Sequence, residues 1–387
     1  MGLEVLIASR GEHSLISEIH QGLHVDLDNP DSALARILEV GGAPFTGVLG
    51  CDDATVELAA LAADALALPH NPPAAARLTR RKDLARAHLT KSGCAVPAHR
   101  LVDLTRSIED QVAGLTWPCV VKPLNLSASR GVIRANDPAE FIAACDRIRN
   151  IIAGSIDEFE RTHLLVEAYI DGFEVAFEGY LHQGELKTLA LFDKPDPLRG
   201  PFFEETIYVT PSSLNQATQS RIVQCVARAC RAYGLRTGPI HAEVRVDERD
   251  AWILEVASRT IGGDCSRCLD MGENFNLEEF VISLAIGKPQ TARTPDEARG
   301  VMMIPIKERG VLRRVEGLGD ARGVANIESV DILVHSGHEL VPLPEGNQYP
   351  GYIFARGQSP GEVVSALREA NSRLNFVVAP LFRLVAE

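Results

Sequence analysis

The sequence predicts a mixed α/β protein with an α+β core, and three observations support that class. Short apolar runs alternate with helix-like segments over the first 100 residues, which is typical of a parallel α/β layer. Runs of alternating apolar and polar residues between about 117 and 257 indicate hairpins. The chain has 387 residues, 45% of them hydrophobic and 24% charged, enough for about two or three packed domains.

The first region is predicted to alternate strands and helices. Residues 3–8 and 46–50 are apolar enough for buried strands. A helix is expected from Asp52 to Leu66, because its early acidic residues suit a helix N-terminus and its alanines and leucines recur at helical spacing. A second helix is expected over about 77–92, ended by Gly93.

The central region is predicted to consist mostly of strands. Strands are expected at 117–123, 164–170, 174–181, 185–192, 240–246 and 252–257, and helices at 138–150, 215–233 and 276–286. From Gly300 the sequence changes to short β-segments rich in glycine and proline, with one late helix at 361–373.

Charge and composition narrow the class of partner. The chain carries 39 basic and 52 acidic residues, a net charge of −13, and only 5% aromatics, so nucleic acid is not an expected partner. The N-terminus resembles a short strand containing Glu4 rather than a signal peptide, and no run of about 18 apolar residues predicts a membrane span. Eight scattered cysteines fit reduced thiols, and we expect a cytoplasmic protein.

The segment from 238 to 259 is the most informative one. A hairpin centred near 249 would place Glu243 directly opposite Glu255. The side chains expected on that face are His241, Glu243, Arg245, Ile253, Glu255 and Ala257. Opposed carboxylates repel, and a bound divalent cation such as Mg²⁺ would relieve that repulsion. A solvated outer face, with Arg245 and Arg259 neutralising the acids, is the alternative.

Lys122 is the second informative residue, because it ends an apolar strand and precedes a proline. The loop that follows, 124–131, is rich in small residues whose backbone N–H groups can approach phosphate oxygens. The spacing does not match a P-loop, so a P-loop NTPase is not supported. A polar hairpin loop remains the alternative for 124–131, as a solvated helix face does for Lys82.

Taken in chain order, these motifs resemble the ATP-grasp superfamily from about Arg80 to Gly287. The order is Lys82, Val-Lys-Pro with a small-residue loop, Val-Glu-x-Tyr-Ile-x-Gly-x-Glu, Glu243, and Glu-x-x-x-Arg-x-x-Gly-Gly. Within that superfamily the chain looks most like the bacterial L-amino-acid ligases that make dipeptides. The segments that carry this closer resemblance are 201–205, 275–287 and the late segment from Gly351.

The resemblance implies an ATP-grasp fold with four parts. These would be an N-terminal α/β domain over 1–100, a mobile lid over 101–170, a core with the metal and catalytic site over 171–300, and a β-rich C-terminal subdomain over 301–387. Homodimers are common in the resembled family, so a second copy of the chain is a partner that the resemblance suggests.

By position, the resemblance also implies the site residues. Those that bind ATP would be Lys82, Lys122, Ser127, Ser129, Gly131, Glu167, Ala168, Tyr169, Ile170 and Glu174. Mg²⁺ or Mn²⁺ would be held by Glu243 and Glu255, and Arg259 and His241 would be catalytic. Glu205, Gly262 and Gly263 would face the substrates.

Their roles follow from the same resemblance. The two lysines would hold the phosphates of ATP, with 127–131 as a flexible loop over them, 167–170 as the hinge against adenine and Glu174 at the ribose. Arg259 would stabilise the acyl phosphate and the tetrahedral intermediate. His241 would contact substrate or accept a proton from the amine, or be a packed strand histidine. Glu205 would suit an ammonium or guanidinium group.

The implied activity is the ATP-dependent joining of a small carboxylic acid to an amine through an acyl phosphate, with release of ADP and phosphate. An amino acid is the first candidate for the acid. A non-amino polycarboxylic acid is the second. Ala257 stands where the family often has a metal-binding asparagine, which leaves the number of ions open and keeps a non-catalytic ATP-binding protein as a third alternative.

Overall fold

A computed structural model describes residues 1–10, 21–40, 44–269, 276–290 and 297–381. The strands in these ranges are β1 Leu6–Ser9, β2 Gln21–His24, β3 His99–Asp103, β4 Cys119–Lys122, β5 Ile133–Ala135, β6 His163–Ala168, β7 Phe173–His182, β8 Glu185–Asp193, β9 Ile207–Thr210, β10 Gly238–Val246, β11 Ala251–Ala257, β12 Ala298–Met303, β13 Gly310–Glu316, β14 Ile327–Ile332, β15 Glu339–Leu340, β16 Gly351–Gly357 and β17 Asn375–Ala379.

The helices in the same ranges are α1 Pro30–Val40, α2 Val56–Ala65, α3 Pro73–Arg80, α4 Lys82–Lys91, α5 Pro138–Ile151, α6 Glu158–Thr162, α7 Gln216–Tyr233, α8 Leu277–Ala285, α9 Leu318–Arg322 and α10 Pro360–Arg373. Short 3₁₀ turns occur at Glu109–Gln111 and Cys265–Cys268. Within the described ranges, none of the helices has the length and apolar content needed to cross a membrane.

The N-terminal region is a small α/β layer. Its strands β1 and β2 are parallel, as the alternating pattern predicts, and Leu23, Ala33 and Leu58 pack together beneath them. The strand predicted at 46–50 is wrong, because this segment has no strand pairing. A Cβ added at Gly47 would lie 2.7 Å from the carbonyl oxygen of Ala285, so the segment follows the surface of α8 instead.

The single helix predicted over 77–92 is also wrong, because two helices meet there. Arg81, between α3 and α4, has an extended backbone (φ −97°, ψ 100°), and its guanidinium donates to Asp83 at 3.0 and 2.9 Å. The backbone N–H of Lys82 then donates to the carbonyl of Leu124 at 2.9 Å. The break thus starts a new helix at Lys82 and ties it to the loop after β4.

A four-stranded antiparallel sheet, in the order β3–β6–β4–β5, follows the first helices. Helix α5 begins at the Asp137 cap, whose side chain accepts from the N–H of Glu140, and its residues Phe141, Cys145 and Ile148 are fully buried. This sheet and helix share one apolar core, which places the end of β4 and the loop after it above the central sheet.

The central sheet has eight strands in the order β11–β10–β7–β8–β9–β12–β16–β14, drawn from both sides of residue 300. Helix α7, capped by Asn215 and ended by Gly234 in the left-handed region, packs on one face of β7, β10 and β11. Helix α8 packs on the other face with β7 and β8, and α10 covers the strands after residue 300. A smaller sheet, β15–β13–β17, completes the C-terminal region.

Candidate active site

One cavity of about 380 Å³ lies where the four-stranded sheet, the central sheet and the N-terminal region meet. The predicted site residues that line it are Lys82, Lys122, Ser127, Ser129, Glu167, Ala168, Tyr169, Ile170, Glu174, Glu205, His241, Glu243, Glu255, Arg259, Gly262 and Gly263. Gly131 lies outside the lining. The structure therefore brings together residues that are up to 181 positions apart in the sequence, from Lys82 to Gly263.

The hairpin of β10 and β11 supplies the centre of the cavity. Glu243 pairs directly with Glu255, as the sequence predicts. The register then shifts, because Val244 pairs with Ile253 and Leu254 forms a bulge. Ile253 is therefore not on the face of Glu243. It is fully buried in the core beneath α7, and the expectation that it shares the polar face is wrong.

Strand β7 adds further polar residues to the same face. Glu178 pairs with His241, and Glu174 pairs with Arg245, across the antiparallel ladder of β7 and β10. Since side chains two apart share a face, these pairs and Glu243 all project away from α7. Four of these residues line the cavity: Glu174, His241, Glu243 and Arg245. Because side chains alternate along both strands, the face toward α7 is apolar and the opposite face carries the charged groups.

Lys194 neutralises much of the negative charge on that face. Its ammonium group lies 2.8 Å from Glu174, 2.7 Å from Glu205 and 3.2 Å from Glu243, and its side chain is 3% exposed. Burial disfavours the charged lysine, but the three carboxylates outweigh that effect and raise its pKa well above the usual range. The ammonium or guanidinium partner expected for Glu205 is thus present within the chain itself.

Glu205 and Glu243 are also close to each other, and they titrate as a pair. Burial raises the pKa of Glu205 to about 8 despite the nearby charge of Lys194, and the charge of Glu243 adds to the rise. The pKa of Glu243 is lowered, because Lys194 outweighs its burial.

Glu255 has its own lysine, since Nζ of Lys82 lies 3.2 Å from its carboxylate and donates to the carbonyl of Leu126 at 2.8 Å. The suggestion that Arg245 and Arg259 neutralise the paired glutamates is therefore wrong. Lys194, which follows β8, pairs with Glu243, and Lys82, at the start of α4, pairs with Glu255.

Lys122 sits in a second buried charge network. Its ammonium lies 2.6 Å from Glu167, which also pairs with Arg86. Burial alone would raise the pKa of Glu167, but the charges of Arg86 and Lys122 outweigh it and lower the pKa to about 2. Arg86 further donates to the carbonyl of Leu254, so the network ties α4, β4, β6 and β11 together.

The hinge residues beside Glu167 are held largely by the backbone. The N–H of Ala168 donates to Ala98 at 2.8 Å and that of Tyr169 to Pro118 at 3.1 Å, while the carbonyl of Ile170 accepts from Arg245 at 2.8 Å. These three hinge groups are engaged within the protein. Adenine contacts would therefore use the other backbone groups of this segment.

The loop after β4, residues 124–131, contains three residues whose backbone is in the left-handed region. Ala128 and Ser129 have φ values of 53° and 54°, and Gly131 has a φ of 72°. A Cβ on Gly131 would lie 3.1 Å from the ring of Pro123, and its N–H donates to the carbonyl of Pro344 at 2.9 Å. Gly131 thus shapes the loop, while Ser127 and Ser129 line the cavity.

Arg259 lines the cavity beside Asp53. Its guanidinium donates to both carboxylate oxygens of Asp53, at 2.8 and 2.9 Å, and to the carbonyl of Thr260 at 2.9 Å. Gly262 and Gly263 lie three and four residues after Arg259, and neither has a side chain that would occupy the cavity. Gly263 has a φ of 63°, and a Cβ there would lie 2.5 Å from the sulfur of Met303.

His241 lines the cavity near Arg259 and is 6% exposed. Burial and the charge of Arg259 lower its pKa to about 3, so the ring is neutral at neutral pH. Its Nδ1 lies 3.4 Å from the carboxyl group of Glu178.

Sequence reasoning missed Lys194, Asp53 and Glu178. Lys194 carries the same pattern as Lys122, a lysine after an apolar strand and before a proline, so the pattern could have found it. The sequence indicates only a helix N-terminal acid at Asp53. Nothing in the sequence near Asp53 indicates its pairing with Arg259, 206 residues later.

The donor set suits ATP and a hard divalent cation. Oxygen atoms of Glu174, Glu205 and Glu243 lie within 4.8 Å of one another, and Glu255 is on the neighbouring strand. Carboxylate oxygens suit Mg²⁺ and Mn²⁺. Lys82, Lys122 and Arg259 add positive charge along the same cavity, as a triphosphate requires.

Comparison with known proteins agrees with this architecture. Residues 115–268 match the model of an ATP-grasp domain, and residues 302–379 match the L-amino acid ligase C-terminal domain 2. The crystal structure of an L-amino acid ligase from Bacillus licheniformis superposes with a TM-score of 0.85 at 25% identity, covering 98% of this chain and 93% of that one.

Two relatives align over much of the chain. An uncharacterized protein of Sinorhizobium fredii is 24% identical over 81% of this chain and 64% of its own length. The alanine–anticapsin ligase of Bacillus subtilis is 24% identical over 62% of this chain and 54% of its own length. The chain thus spans about half to two thirds of these two relatives.

The fold and the cavity are those of the ATP-grasp superfamily: residues 115–268 match an ATP-grasp domain, and the chain as a whole is similar to an L-amino acid ligase. Within that superfamily, the chain combines the ATP-grasp domain with the C-terminal domain of the L-amino acid ligases.

Proposed function

We propose that the protein uses ATP to activate a small carboxylic acid, with an amino acid as the first candidate, and joins it to an amine. The γ-phosphoryl group passes to the carboxylate, the amine attacks the resulting acyl phosphate, and an amide, ADP and phosphate are released. One observation carries the proposal. Lys82, Lys122 and Arg259 meet the opposed carboxylates Glu243 and Glu255 in a single cavity.

The residues divide this work by position. Lys82 and Lys122 would hold the phosphates, with 127–131 over them, and Glu243 and Glu255 would hold Mg²⁺ or Mn²⁺. The cation, when bound, would neutralise phosphate charge. Arg259 offers a planar pair of donors in the cavity lining, where an acyl phosphate and then a tetrahedral oxyanion would form.

The substrate end of the cavity is lined by both polar and aromatic groups. Glu205, Tyr208, Met303 and Tyr349 form this wall with Gly262 and Gly263. An amino acid fits here because polar groups adjoin the apolar surface that would face its side chain. The relative that joins alanine to anticapsin supports a free amino acid as one substrate.

A screen for substrate-dependent ADP release tests the proposal. The purified chain would be assayed with Mg²⁺, ATP and pairs drawn from the amino acids, simple amines and polycarboxylic acids. Stimulation by an amino-acid pair, with a matching amide product by mass spectrometry, is the expected result. Stimulation only by a polycarboxylic acid and an amine would select the second alternative.

A non-catalytic ATP-binding protein is the remaining candidate, and Ala257 favours it. This residue is fully buried opposite His241, so no side-chain ligand is available where the family often has asparagine. ATP binding by calorimetry, together with the absence of ADP release for every pair tested, would establish this alternative.

A further inference from the structure

Arg245 is a buried arginine that binds three acceptors from three different segments. Its side chain is 4% exposed. Nε donates to Glu174 at 2.8 Å, Nη1 donates to the carbonyl of Ile170 at 2.8 Å, and Nη2 donates to the carbonyl of Leu198. One guanidinium therefore joins β7, the segment between β6 and β7, and the loop between β8 and β9. Its planar fork of donors fixes the directions from which these acceptors are held.

The segment between β6 and β7 rests against the end of β10. The guanidinium carbon of Arg245 lies 5.0 Å from the centroid of the Tyr169 ring, and the Ile170 carbonyl accepts from the same guanidinium. A Cβ added at Gly172 would lie 2.4 Å from the carbonyl oxygen of Val246. The backbone that the sequence resemblance assigns to adenine is thus held against β10 at two points, and one of them is the Arg245 side chain.

Glu174 is held at both of its carboxylate oxygens. Oε1 lies 2.8 Å from the ammonium group of Lys194, and Oε2 lies 2.8 Å from Nε of Arg245. Charge-assisted bonds at both oxygens fix the plane of the carboxylate, and each oxygen keeps a second lone pair that can accept another hydrogen bond. Glu174 also lines the cavity. A carboxylate fixed in this way suits two neighbouring hydroxyl groups, such as those on the 2′ and 3′ carbons of a ribose.

We infer that Arg245 is a positioning residue for the nucleotide, which acts through Glu174 and makes the site selective for a ribose that carries both hydroxyl groups. The inference rests on the proposed function, because that function supplies ATP as the ligand. Lys194 binds the other oxygen of Glu174, but its further carboxylate partners are Glu205 and Glu243, which are not hinge residues. Arg245 instead ties the carboxylate that would meet the sugar to the backbone that would meet the base, so their spacing is fixed before the nucleotide binds.

Calorimetric binding of two nucleotides tests this role without turnover. ADP and 2′,3′-dideoxy-ADP, each with Mg²⁺, are titrated into the unmodified chain and into Arg245→Lys. Because hydrogen bonds to a charged acceptor are strong, the unmodified chain should bind ADP about 10–100-fold more tightly than the dideoxy nucleotide. In Arg245→Lys this ratio should fall to about threefold or less, because one ammonium group cannot hold Glu174 and the Ile170 carbonyl in the same planar arrangement. The affinity for the dideoxy nucleotide should change little.

A merely structural role of Arg245 gives a different result. It would weaken the binding of both nucleotides by the same factor and leave the ratio of their affinities unchanged, and that outcome in a folded Arg245→Lys overturns the inference. A ratio near one in the unmodified chain overturns it as well. Arg249→Lys is the matched control, because it makes the same change on the turn of the same hairpin, where the arginine is 74% exposed. This control should keep the ratio of the unmodified chain.

Glu174→Asp is the second variant, to be used if Arg245→Lys does not fold. It keeps a negative charge beside Lys194 but withdraws the carboxylate from Arg245 by one methylene group, so the same loss of the ratio is expected. A ratio equal to that of the unmodified chain overturns the inference. If no substrate pair stimulates ADP release while the ratio behaves as expected, the proposed ligase function fails and the role of Arg245 stands. If ADP is released but the ratio is unchanged in Arg245→Lys, the ligase function stands and the role of Arg245 fails.

Discussion

Arg259 and Asp53, 206 residues apart, form a two-pronged ion pair in the lining of the cavity, with N–O distances of 2.8 and 2.9 Å. Asp53 belongs to the N-terminal region and Arg259 follows β11. The side chains are only 16% and 20% exposed, so solvent screens the pair weakly. The orientation of the guanidinium is therefore set by a residue outside the central sheet.

Asp53→Asn should misorient Arg259. An amide cannot accept two charge-assisted bonds from the guanidinium, so we expect kcat to fall by about 10–100-fold with ATP affinity unchanged. Asp64→Asn is the matched control, because Asp64 lies on α2 and is 64% exposed. Steady-state kinetics and calorimetry of both variants are the measurements. Equal turnover in the two variants would show that Asp53 has no part in catalysis.

Arg259→Lys should fail although it keeps the charge. An ammonium group is one compact charge and cannot replace a planar fork that contacts two oxygens. Losing a preorganised donor to a developing oxyanion costs roughly 10²–10³ in rate. ATP affinity should persist, because Lys82 and Lys122 contact the nucleotide in the proposed arrangement. Loss of ATP binding in proportion to turnover would contradict this assignment.

Lys194→Gln should destabilise the fold. The substitution leaves Glu174, Glu205 and Glu243 facing one another in a buried cluster, and removing one partner from such a cluster costs about 3–5 kcal/mol. Lys187→Gln, whose lysine is 48% exposed beside Glu185, should leave the free energy of unfolding unchanged. Urea unfolding of both variants gives the comparison. Glu205→Gln in the Lys194→Gln background should restore part of the loss.

Glu243→Gln or Glu255→Gln should abolish turnover. Each substitution relieves the repulsion between two directly opposed carboxylates but also breaks the ion pair of that glutamate with Lys194 or Lys82, so the melting temperature in metal-free buffer should fall. The melting temperature should also lose its dependence on added Mg²⁺ with ATP. Calorimetric melting with and without Mg²⁺ and ATP measures this, and full activity in either variant would falsify the metal assignment.

The buried network of Glu167 predicts how stability depends on acid. Its pKa of about 2 in the folded chain lies below its ordinary value of 4.5, so the stabilisation is complete above pH 4.5 and is lost as pH falls toward 2. The shift corresponds to about 3 kcal/mol. Glu167→Gln should flatten the dependence of unfolding free energy on pH in that window. A variant with an unchanged slope there would show that Glu167 does not contribute.

The same network changes what is expected of Lys122. From the sequence, a strand-end lysine without a phosphate should be replaceable at little cost in stability. Lys122 instead pairs with Glu167 inside the fold. Its removal therefore weakens both the fold and the phosphate site, and ATP affinity must be compared at equal folded fraction.

Alternation of apolar and polar residues was enough to predict the α/β class and the register of Glu243 with Glu255. Periodicity acts within a few residues, and this pair lies on one hairpin. The break at Arg81 could not be predicted, because Thr79–Lys82 contains no helix breaker and the extended backbone is stabilised by Asp83 and the nearby Glu160.

Candidate site residues were found where a strand end carries a charge, as at Lys122, or where a hairpin opposes two carboxylates, as at Glu243 and Glu255. Glu178 escaped, because one glutamate in an alternating strand resembles any outward-facing residue until its register partner is known. The role of Asp53 could not be predicted, because its partner Arg259 is 206 residues away in the sequence. The domain boundaries and individual catalytic roles stay predictions.

The loop from 341 to 350 touches two parts of the molecule at once. Its Tyr349 lines the cavity, while Pro344 accepts from Gly131 and the Glu345 carboxylate pairs with Arg147 at 2.6 Å. The loop that holds the backbone beside Ser127–Ser129 is thus also a wall of the chamber. Replacing this loop with one from a related protein would therefore change the cavity wall at Tyr349 and the backbone support of the 127–131 loop at the same time. The two properties cannot be varied independently by exchanging the loop.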